Sequence, residues 1–487
     1  MKYRSVFMGL GKILAFSAVF YVFPVIVVLI YKEYAALPGF LIAAGTALFL
    51  GVGCSFLARG ANKIRHREAL VIVGLCWLLV SLIGAIPFCV GKYLPTYADA
   101  FFETVSGFTT TGASVLTDFD LPKCIHFWRA FTHWLGGMGI LVFMLAVLPT
   151  RGGDGFQLMK FESPGPQVGK LVSRIRFTAS ILYLLYFALT AVEFLFLFLG
   201  GVPAYDSVIL SMSTAGTGGF TSTASSVLAY NSTYVDIVLT VFMLLFSVNF
   251  SLYYFALIGN VKSVLKDEEL RFYLIFIAAC ILAITIDNTI RFAQYNGNFF
   301  TALHYTSFAV ISTSSTTGFV LADYAQWSSF SQCTILLVMI VGAMAGSTGG
   351  GLKASRVLIL LKSCKKNTAT LLRPNAVYTV KMNGKPLARE TVAEVKNFFL
   401  VAFLIGIVSC LLLSFDPVAD LTTALTSFLT CFNNVGPGLG SVVGPTGSFA
   451  PLTGFSKIIL SVVMLIGRLE IFPVFLLLLP KTWEKRY

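Results

Sequence analysis

The stretch ISTSSTTGFVLAD, Ile311 to Asp323, lies between two long apolar segments and decides how the chain is interpreted. It places six consecutive hydroxyl residues, Ser312 to Thr317, directly before Gly318 and Phe319. Non-helical backbone is tolerated at membrane depth only where it is buried in protein or lines a water-filled cavity. The stretch therefore predicts a functional interruption in a membrane-embedded region.

The composition of the whole chain is that of a membrane protein. Of its 487 residues, 57% are hydrophobic and 12% are charged, and the charged fraction is about half that of an average soluble domain. Apolar runs of about twenty residues recur along the chain, as in polytopic helical membrane proteins. The first run is too long for the core of a signal peptide, so we interpret it as the first span.

Ten candidate spans follow from these runs. They lie approximately at residues 6–31, 37–58, 69–90, 127–149, 172–200, 235–260, 272–290, 328–361, 397–414 and 455–480. The eighth run is too long for a simple span, and the sequence GSTGGG, Gly346 to Gly351, interrupts it. We expect an intramembrane break there because six residues that include four glycines cannot keep a helix regular.

Basic residues occupy alternate loops and set the expected orientation. Lys and Arg concentrate at residues 2–4, 59–67, 151–176, 262–271, 362–396 and 481–486, whereas the other loops carry acids such as Asp118, Asp120, Asp323, Asp416 and Asp420. The positive-inside rule then predicts that both termini are cytoplasmic. The net charge of +13 is explained by this topology and by anionic lipid headgroups, not by nucleic acid.

The cysteines and histidines give no sign of a metal site or a redox site. The nine cysteines form no CxxC pair and lie mostly in apolar segments, and the four histidines lack metal-ligand spacing. Buried, small hydrophobic cysteines are the simpler interpretation. No HExxH or GxSxG pattern is present either, which excludes the common hydrolase sites.

Four shorter apolar stretches lie between successive pairs of spans, and the first of them is Tyr97 to Phe108. Each is too short to cross a bilayer, which predicts a half-helix that enters and returns. The predicted fold is an all-α polytopic membrane protein with four helix–half-helix–helix repeats around a pseudo-fourfold pore, preceded by a helix pair. The expected boundaries are 1–68 for the pair, 69–150, 151–261, 262–365 and 397–487 for the repeats, and 366–396 for a cytoplasmic connector.

The ends of the four half-helices align with one another, and the third place is always glycine. The aligned residues are Thr110-Thr111-Gly112-Ala113, Thr217-Gly218-Gly219-Phe220, Thr316-Thr317-Gly318-Phe319 and Asn434-Val435-Gly436-Pro437. A single such glycine could be an ordinary helix C-cap. Four at matched positions favour a ring of backbone carbonyls that replaces the hydration shell of a monovalent cation. We therefore expect a K+ filter at Thr110, Thr111, Gly112, Thr217, Gly218, Gly219, Thr316, Thr317, Gly318, Asn434, Val435 and Gly436.

These features resemble the TrkH/TrkG/KtrB superfamily of potassium transporters. The resemblance rests on the fourfold unit and on HWLGGMGILVFMLAVLP (His133 to Pro149), AGSTGGGLK (Ala345 to Lys353) and NNVGPGLG (Asn433 to Gly440). The N-terminal helix pair makes the chain more similar to TrkH than to KtrB. The resemblance covers essentially the whole chain.

Several properties are implied by this resemblance alone. It implies a subunit of the bacterial cytoplasmic membrane that conducts K+ and needs no covalent cofactor. It also implies a homodimer whose protomers each hold a pore, and a cytosolic nucleotide-binding ring of the TrkA type as partner. Sodium-permeable relatives have serine at the first filter glycine, so Gly112 favours K+. The sequence leaves open whether Gly218 lowers the selectivity of the part of the filter that its own segment contributes.

The broken eighth span and Arg468 are the expected gate. GSTGGGLK fails the phosphate-loop pattern because Leu352 separates Gly351 from Lys353. Breaks at membrane depth usually line cavities, although a kink without function is the alternative. The resemblance places an arginine under the filter, where Arg468 would be a cationic barrier bonded to loop carbonyls. Otherwise Arg468 would pair with Glu470 and snorkel. The gate residues are Gly346, Ser347, Thr348, Gly349, Gly350, Gly351 and Arg468.

Other polar residues in or near the spans are weaker candidates. Glu193 could pair with a neighbouring span or mark an inward-facing polar patch, and Lys353 is expected to snorkel to the interface. Glu103, Arg129 and His133 lie near helix ends, where hydration and hydrogen bonding would explain them. The function expected is passive, channel-like K+ uptake. The alternative is a proton- or sodium-coupled carrier, which would need acidic relays in mid-span, and the chain offers Glu193 and Glu470.

Overall fold

The computed structural model describes residues 1–58, 66–139, 175–295 and 297–484 and is built almost entirely from helices. The helices of the first half are α1 (Tyr3–Ser17), α2 (Val22–Tyr31), α3 (Leu37–Leu57), α4 (His66–Gly84), α5 (Ile86–Val90), α6 (Tyr97–Phe108), α7 (Lys123–Gly137), α8 (Ile175–Leu199), α9 (Ala204–Gly216), α10 (Thr233–Ser247) and α11 (Phe250–Leu257). Short 3-10 turns cover Ala18–Tyr21, Tyr34–Ala36 and Ser226–Tyr230.

The second half continues the same pattern and contains a small β-hairpin. Its elements are α12 (Val261–Leu265), α13 (Glu268–Arg291), α14 (Phe299–Ser314), α15 (Ser329–Val341), α16 (Ala354–Leu372), β1 (Lys381–Met382), β2 (Lys385–Pro386), α17 (Arg389–Leu413), α18 (Leu421–Asn433), α19 (Gly454–Leu469), α20 (Ile471–Leu478) and α21 (Pro480–Trp483). Two 3-10 turns lie at Ala293–Tyr295 and Tyr324–Gln326. The strands β1 and β2 pair antiparallel, with Lys381 opposite Pro386.

Six of the predicted spans are single helical segments of sufficient length and apolarity. They are Tyr3–Tyr31, Tyr34–Leu57, Arg67–Val90, Ser180–Leu199, Glu268–Arg291 and Arg389–Leu413. The fourth predicted span begins with α7, and its residues from 140 onward lie outside the described part of the chain. The eighth is interrupted at residues 342–353, between α15 and α16, as the glycines predict.

Continuous helices were expected for the sixth and tenth spans, and both expectations are wrong. α10 ends where Val248 is extended, and the Asn249 side chain accepts a 2.9 Å hydrogen bond from the Ser251 amide to start α11. The two helices meet at 92°. The tenth span breaks at Glu470, whose φ of 62° is left-handed and separates α19 from α20.

Both ends of the chain lie on one face of the molecule, which we call the terminal face. The Met1 amino group donates to the Glu484 carbonyl oxygen over 2.7 Å. The N-terminal pair packs closely, since a Cβ on Gly11 would lie 2.8 Å from the carbonyl oxygen of Gly51. On the opposite face the Glu33 carboxylate accepts from the Lys123 amide at 2.8 Å. The pair is thereby joined to the first turn of α7.

Four short helices, α6, α9, α14 and α18, enter from the opposite face and end inside the molecule. They contain 12, 13, 16 and 13 residues, which spans about 18–24 Å at 1.5 Å per residue and falls short of a bilayer core of about 30 Å. Side chains cap three of them, since Thr96, Asn298 and Asp420 accept from first-turn amides. The re-entrant half-helices predicted from the sequence are present.

The repeats close into a ring. Each short helix packs against the second long helix of the preceding repeat, namely α9 against α7, α14 against α10, α18 against α15 and α6 against α19. The last of these contacts joins the fourth repeat to the first. There the buried Lys457 ammonium lies 2.5 Å from the Asp99 carboxylate. All four short helices therefore end around one centre.

Candidate functional site

The chain that follows each short helix has the same backbone conformation in all four repeats. We call residues 110–113, 217–220, 316–319 and 434–437 re-entrant segments one to four. The first residue of each is left-handed, with φ of 57°, 55°, 61° and 54° at Thr110, Thr217, Thr316 and Asn434. The third is a left-handed glycine, with φ of 78°, 76°, 77° and 99° at Gly112, Gly219, Gly318 and Gly436.

The left-handed threonines are a feature that the sequence did not predict. A left-handed φ is a genuine outlier for a β-branched residue and stores about 1–3 kcal/mol of strain. The glycine register was visible in the sequence, whereas this strain is not, because only the surrounding packing holds the threonines in that conformation. The equivalent Asn434 tolerates the geometry more easily.

The four segments touch one another in a closed ring. A Cβ placed on Gly112 would overlap the carbonyl oxygen of Gly218, one on Gly219 that of Thr317, and one on Gly318 that of Val435. A Cβ on Gly436 would lie 2.6 Å from the carbonyl oxygen of Thr111, which returns the ring to segment one. Each glycine thus adjoins the second residue of the next segment, and a side chain at any of the four would push the ring apart.

The ring borders one opening on the opposite face of the molecule. One cavity is lined by all four glycines, Gly112, Gly219, Gly318 and Gly436, together with Ala113, Phe220 and Pro437 from segments one, two and four. Deeper in the ring, Thr110, Thr217, Thr316 and Asn434 have no exposed surface. The structure therefore brings together all twelve residues that the sequence assigned to the filter.

Buried side chains hold the segments from behind. The Thr111 hydroxyl lies 2.8 Å from the Thr109 hydroxyl. It also accepts a 2.9 Å hydrogen bond from the side-chain amide (Nδ2) of Asn434. In segment three, the Thr317 hydroxyl lies 2.8 Å from the Ser315 hydroxyl. These bonds satisfy polar groups that are away from water, as buried groups require.

Glu103 and Arg129 form a buried ion pair that braces segments one and two. Arg129 Nε donates to Glu103 Oε1 at 2.8 Å, and the side chains are 2% and 0% exposed. Arg129 also donates to the Thr221 carbonyl at 3.1 Å, and its guanidinium lies 4.1 Å from the centre of the Phe220 ring. Of the expected hydration and hydrogen bonding, the hydrogen bonding is confirmed, and hydration is wrong because both side chains are buried.

The loop at residues 342–353 lies directly below segments three and four. The Gly350 amide donates to the Thr316 hydroxyl at 3.0 Å, and a Cβ on Gly349 would lie 3.0 Å from the Ser315 carbonyl oxygen. A Cβ on Gly350 would lie 2.5 Å from the Cβ of Asn434. The loop glycines thus allow the backbone to press against the ends of two short helices.

The break between α10 and α11 and the first turn of α13 hold this loop in place. The Gly346 carbonyl accepts from the Phe250 amide at 3.0 Å, and the Ser247 carbonyl accepts from the Met344 amide at 3.1 Å. The Ala345 amide donates to Glu269 Oε1 at 2.7 Å. The break at Val248, which the sequence missed, frees the backbone groups that make two of these bonds.

Arg468 joins the loop to the end of α7. Its Nη1 donates to the Thr348 carbonyl at 2.8 Å, and its Nη2 donates to the carbonyls of Gly136 and Gly137 at 2.5 and 2.7 Å. The bond to Thr348 is the loop-carbonyl contact expected for this residue. Glu470 lies 2.5 Å from Arg356 in an ion pair. The side chain of Arg468 is buried in the protein.

Lys353 differs from the sequence expectation, whereas Glu193 faces the protein interior, as one of its two alternatives predicted. Lys353 was expected to reach the interface, but it is fully buried and its ammonium donates to the Gly349 carbonyl. Its left-handed φ of 70° turns the chain back toward the loop. Glu193 in α8 is also fully buried. Among the described residues it forms no ion pair.

Comparisons with known proteins agree with this architecture. The family model TrkH, described as cation transport protein, matches residues 39–485. The Trk system potassium uptake protein TrkH of Vibrio parahaemolyticus serotype O3:K6 is 35% identical over 491 residues, which cover 99% of this chain and 100% of that protein. The protein of the same name from Escherichia coli K12 is 33% identical over 498 residues, which cover 100% of both chains.

A solved structure supports the same assignment. The crystal structure of the potassium transporter TrkH from Vibrio parahaemolyticus superposes with a TM-score of 0.87 at 31% identity, covering 99% of this chain and 100% of that one. The predicted fold class and the predicted family are thereby confirmed, and so is the prediction of a transport protein rather than an enzyme. Sequence, fold and the ring of glycines together show that this chain belongs to the TrkH family of cation transport proteins.

Proposed function

We propose that this chain takes up K+ across the bacterial cytoplasmic membrane through the ring of re-entrant segments. The observation that carries the proposal is the closed set of contacts in which each of Gly112, Gly219, Gly318 and Gly436 adjoins a carbonyl of the next segment. The relatives named potassium uptake proteins support K+ as the ion. The proposed filter consists of the three residues that end on each of these glycines.

The chemistry proposed for the filter is replacement of water by backbone oxygen. Carbonyl oxygens at fixed spacing substitute for the hydration shell of K+. The carboxyl ends of α6, α9, α14 and α18 meet at the ring, and each helix end contributes about half a negative charge. Glycine at the third place lets neighbouring segments approach closely enough for one ion to contact several carbonyls.

The proposed gate is the loop at 342–353 together with Arg468. The loop covers the side of the ring that faces the terminal face, and Arg468 is bonded to its Thr348 carbonyl. A K+ ion within about 4 Å of a fixed guanidinium would be repelled by about 4 kcal/mol at an effective dielectric constant of about 20. Buried Lys353 adds a second positive group beside the loop. Conduction in this scheme requires the loop to move.

Orientation and partners complete the proposal. Both termini would be cytoplasmic because the described basic residues Lys2, Arg67 and Lys481 lie together at the terminal face. The expected partners are a second copy of this chain and a cytosolic nucleotide-binding ring of the TrkA type, with anionic lipid around the basic loops. The repeat boundaries proposed from the sequence, 69–150, 151–261, 262–365 and 397–487, each contain one short helix.

The test is uptake of radiolabelled Rb+ into proteoliposomes that hold only this chain, under a K+ gradient without a proton or sodium gradient. Uptake that K+ blocks and Na+ does not block supports a passive, selective pathway. Gly318→Ser should reduce the discrimination of K+ from Na+, because its Cβ would overlap the Val435 carbonyl oxygen. If that variant still discriminates K+ from Na+ as well as the natural chain does, the ring is not part of the ion pathway.

Buried Glu193 supports a second candidate function, a proton- or sodium-coupled carrier. An unpaired carboxyl inside a membrane protein is a candidate for a coupling site. In that case Rb+ uptake would begin only when a proton or sodium gradient is imposed, and Glu193→Gln would abolish the dependence on that gradient. Uptake that is equal in both conditions and in Glu193→Gln would leave the passive pathway as the function.

A further inference from the structure

Segment two differs from the other three at the residues that flank its left-handed threonine. Segments one and three have hydroxyl pairs there, Thr109 with Thr111 and Ser315 with Thr317, and each pair is hydrogen-bonded at 2.8 Å. Segment four has Asn433 and Val435 at these places. In segment two both places are glycine, Gly216 and Gly218. The second segment therefore lacks the side chains that support the other segments from behind.

His133 of α7 occupies the space that those side chains would fill. A Cβ on Gly218 would overlap the imidazole ring of His133, and a Cβ on Gly216 would overlap the His133 carbonyl group. The imidazole is fully buried, and its centre lies 4.1 Å from the centre of the Phe220 ring, at the other end of segment two. One side chain from the first repeat thus backs the whole second segment.

The imidazole of His133 is held in place by a hydrogen bond to the first repeat. Its Nδ1 lies 2.9 Å from the carbonyl oxygen of Gly107 in α6. Because a carbonyl can only accept, Nδ1 carries the proton and donates it to this bond. The same carbonyl accepts from the Thr110 amide at 3.1 Å, which begins segment one. His133 therefore connects the backbones of segments one and two.

We propose that His133 is a positioning residue of the ion pathway, which replaces the missing side chains at Gly216 and Gly218 and so fixes the carbonyls of segment two. The inference rests on the proposed function, since it assigns His133 to the same filter. It also explains why segment two can carry glycine at its second place without a gap. The imidazole fills the space next to Gly218, and it fits there because residue 218 has no Cβ.

The test is to make the side chain at residue 133 smaller and the side chain at residue 218 larger, first separately and then together. His133→Asn keeps an amide donor near the Nδ1 position but removes most of the ring, which leaves a void behind Gly218. Gly218→Thr alone places a side chain into the imidazole. The double variant His133→Asn/Gly218→Thr gives segment two the threonine found in segments one and three, with room to hold it. Selectivity is measured as the ratio of Na+ to K+ concentrations that halve Rb+ uptake.

The expected pattern is loss in each single variant and recovery in the double variant. Residues in contact are energetically coupled, so we expect His133→Asn to lower the ratio about tenfold. Gly218→Thr should lower it at least as much or fail to assemble. The double variant should return to within about threefold of the natural chain. If Gly218→Thr fails to assemble and the double variant assembles, the result would also show that the two side chains compete for the same space.

Two controls separate this inference from its premise. Gly318→Ser tests the filter itself, and an unchanged ratio there overturns the proposed function and this inference with it. His304→Asn changes a partly exposed histidine in the outer half of α14 that pairs with Asp236 rather than with the ring, and it should keep the natural ratio. If Gly318→Ser lowers the ratio, the inference about His133 is overturned alone by any of three results. They are a natural ratio in His133→Asn, a double variant no better than its parents, or equal loss in His304→Asn.

Discussion

The re-entrant segments repeat one backbone contact around the centre, whereas the second long helices of repeats two, three and four each break in a different way. In the ring, a glycine adjoins the neighbouring carbonyl in all four repeats. Toward the terminal face, α10 turns by 92° into α11, α15 gives way to the loop at 342–353, and α19 stops at left-handed Glu470. The same fourfold scaffold thus carries a symmetric layer above an asymmetric one.

This difference follows from what each layer contacts. The ring consists of mutual backbone contacts that leave no space for a Cβ, so its geometry has few alternatives. The lower layer is held by single hydrogen bonds to carbonyls and by charged side chains such as Arg468, Lys353 and Glu269. Such bonds can be exchanged without repacking a core. We infer that the ring sets which ion passes and that the lower layer sets when it passes.

The largest expected effect comes from removing half of the ion pair that braces the ring. Arg129→Met leaves the Glu103 carboxylate buried without its partner, which costs about 3–5 kcal/mol. We expect the free energy of unfolding to fall by that amount, measured by denaturation of the purified protein in detergent. The double variant Glu103→Leu/Arg129→Met should recover most of the loss, because neither charge remains. Equal stability of Arg129→Met and the natural chain would refute the bracing role.

The second prediction uses the one looser contact in the ring. Gly219→Ala would place a Cβ over the Thr317 carbonyl oxygen, whereas in Gly436→Ala the nearest carbonyl oxygen, that of Thr111, is 2.6 Å away. Both substitutions force alanine into a left-handed conformation, at about 1–2 kcal/mol. We expect Gly219→Ala to lower Rb+ uptake at least about tenfold and Gly436→Ala to lower it less. The reverse order would show that these contacts do not determine conduction.

A third prediction concerns the lower layer. Arg468→Ala removes the positive charge and its bond to the Thr348 carbonyl, so Rb+ flux without any partner protein should rise at least about tenfold, because part of the repulsion of about 4 kcal/mol is lost. Deletion within Gly346 to Gly351 should also raise flux, since it shortens the loop below the ring. Arg291→Ala, at an arginine that is 67% exposed, is the matched control and should leave flux unchanged. Low flux in both the Arg468 variant and the deletion would make the break at 342–353 a structural kink.

The ring of re-entrant segments could be predicted from the sequence because the residues that determine its backbone lie within the segments themselves. Glycine at 112, 219, 318 and 436 ends each short helix, and its spacing from the flanking spans recurs four times. The loop at 342–353 was readable for the same reason, since its glycines are consecutive or nearly so. In these regions the residue type alone limits the backbone, and no distant partner is needed to explain it.

The remaining features depend on partners that are distant in sequence. Glu470 ends α19 within an apolar run, and its ion-pair partner Arg356 is 114 residues away. Asn249 starts α11 beside the loop that packs on it from the next repeat. Lys353 is buried because the loop folds over it. Hydropathy treats each of these residues as part of a continuous span or as an interfacial charge, and tertiary contacts decide otherwise.

The smallest expected effect lies at the outer ends of the short helices, where the four repeats again differ. Asp420 caps α18 by accepting from the Thr423 amide at 2.7 Å, and Asn298 caps α14 in the same way. Hydrogen bonds from the Thr423 side chain and amide lower the pKa of Asp420 below its ordinary 3.8. A carboxylate with a lowered folded-state pKa stabilises the fold above its unfolded-state pKa, and this stability is lost as the pH falls through the folded-state pKa.

Acid should therefore loosen the first turn of α18 while the first turn of α14 stays unchanged. Asp420→Ala should cost about 1 kcal/mol of local stability at neutral pH, seen as faster deuterium exchange in the peptide that contains Thr423. Asp420→Asn keeps a good cap without a titrating group, so it should remove the pH dependence and leave neutral exchange as it is. The peptide that begins at Asn298 is the internal control. A first turn of α18 that exchanges equally in all three chains at every pH would mean that packing, not the cap, holds the outer end of this helix.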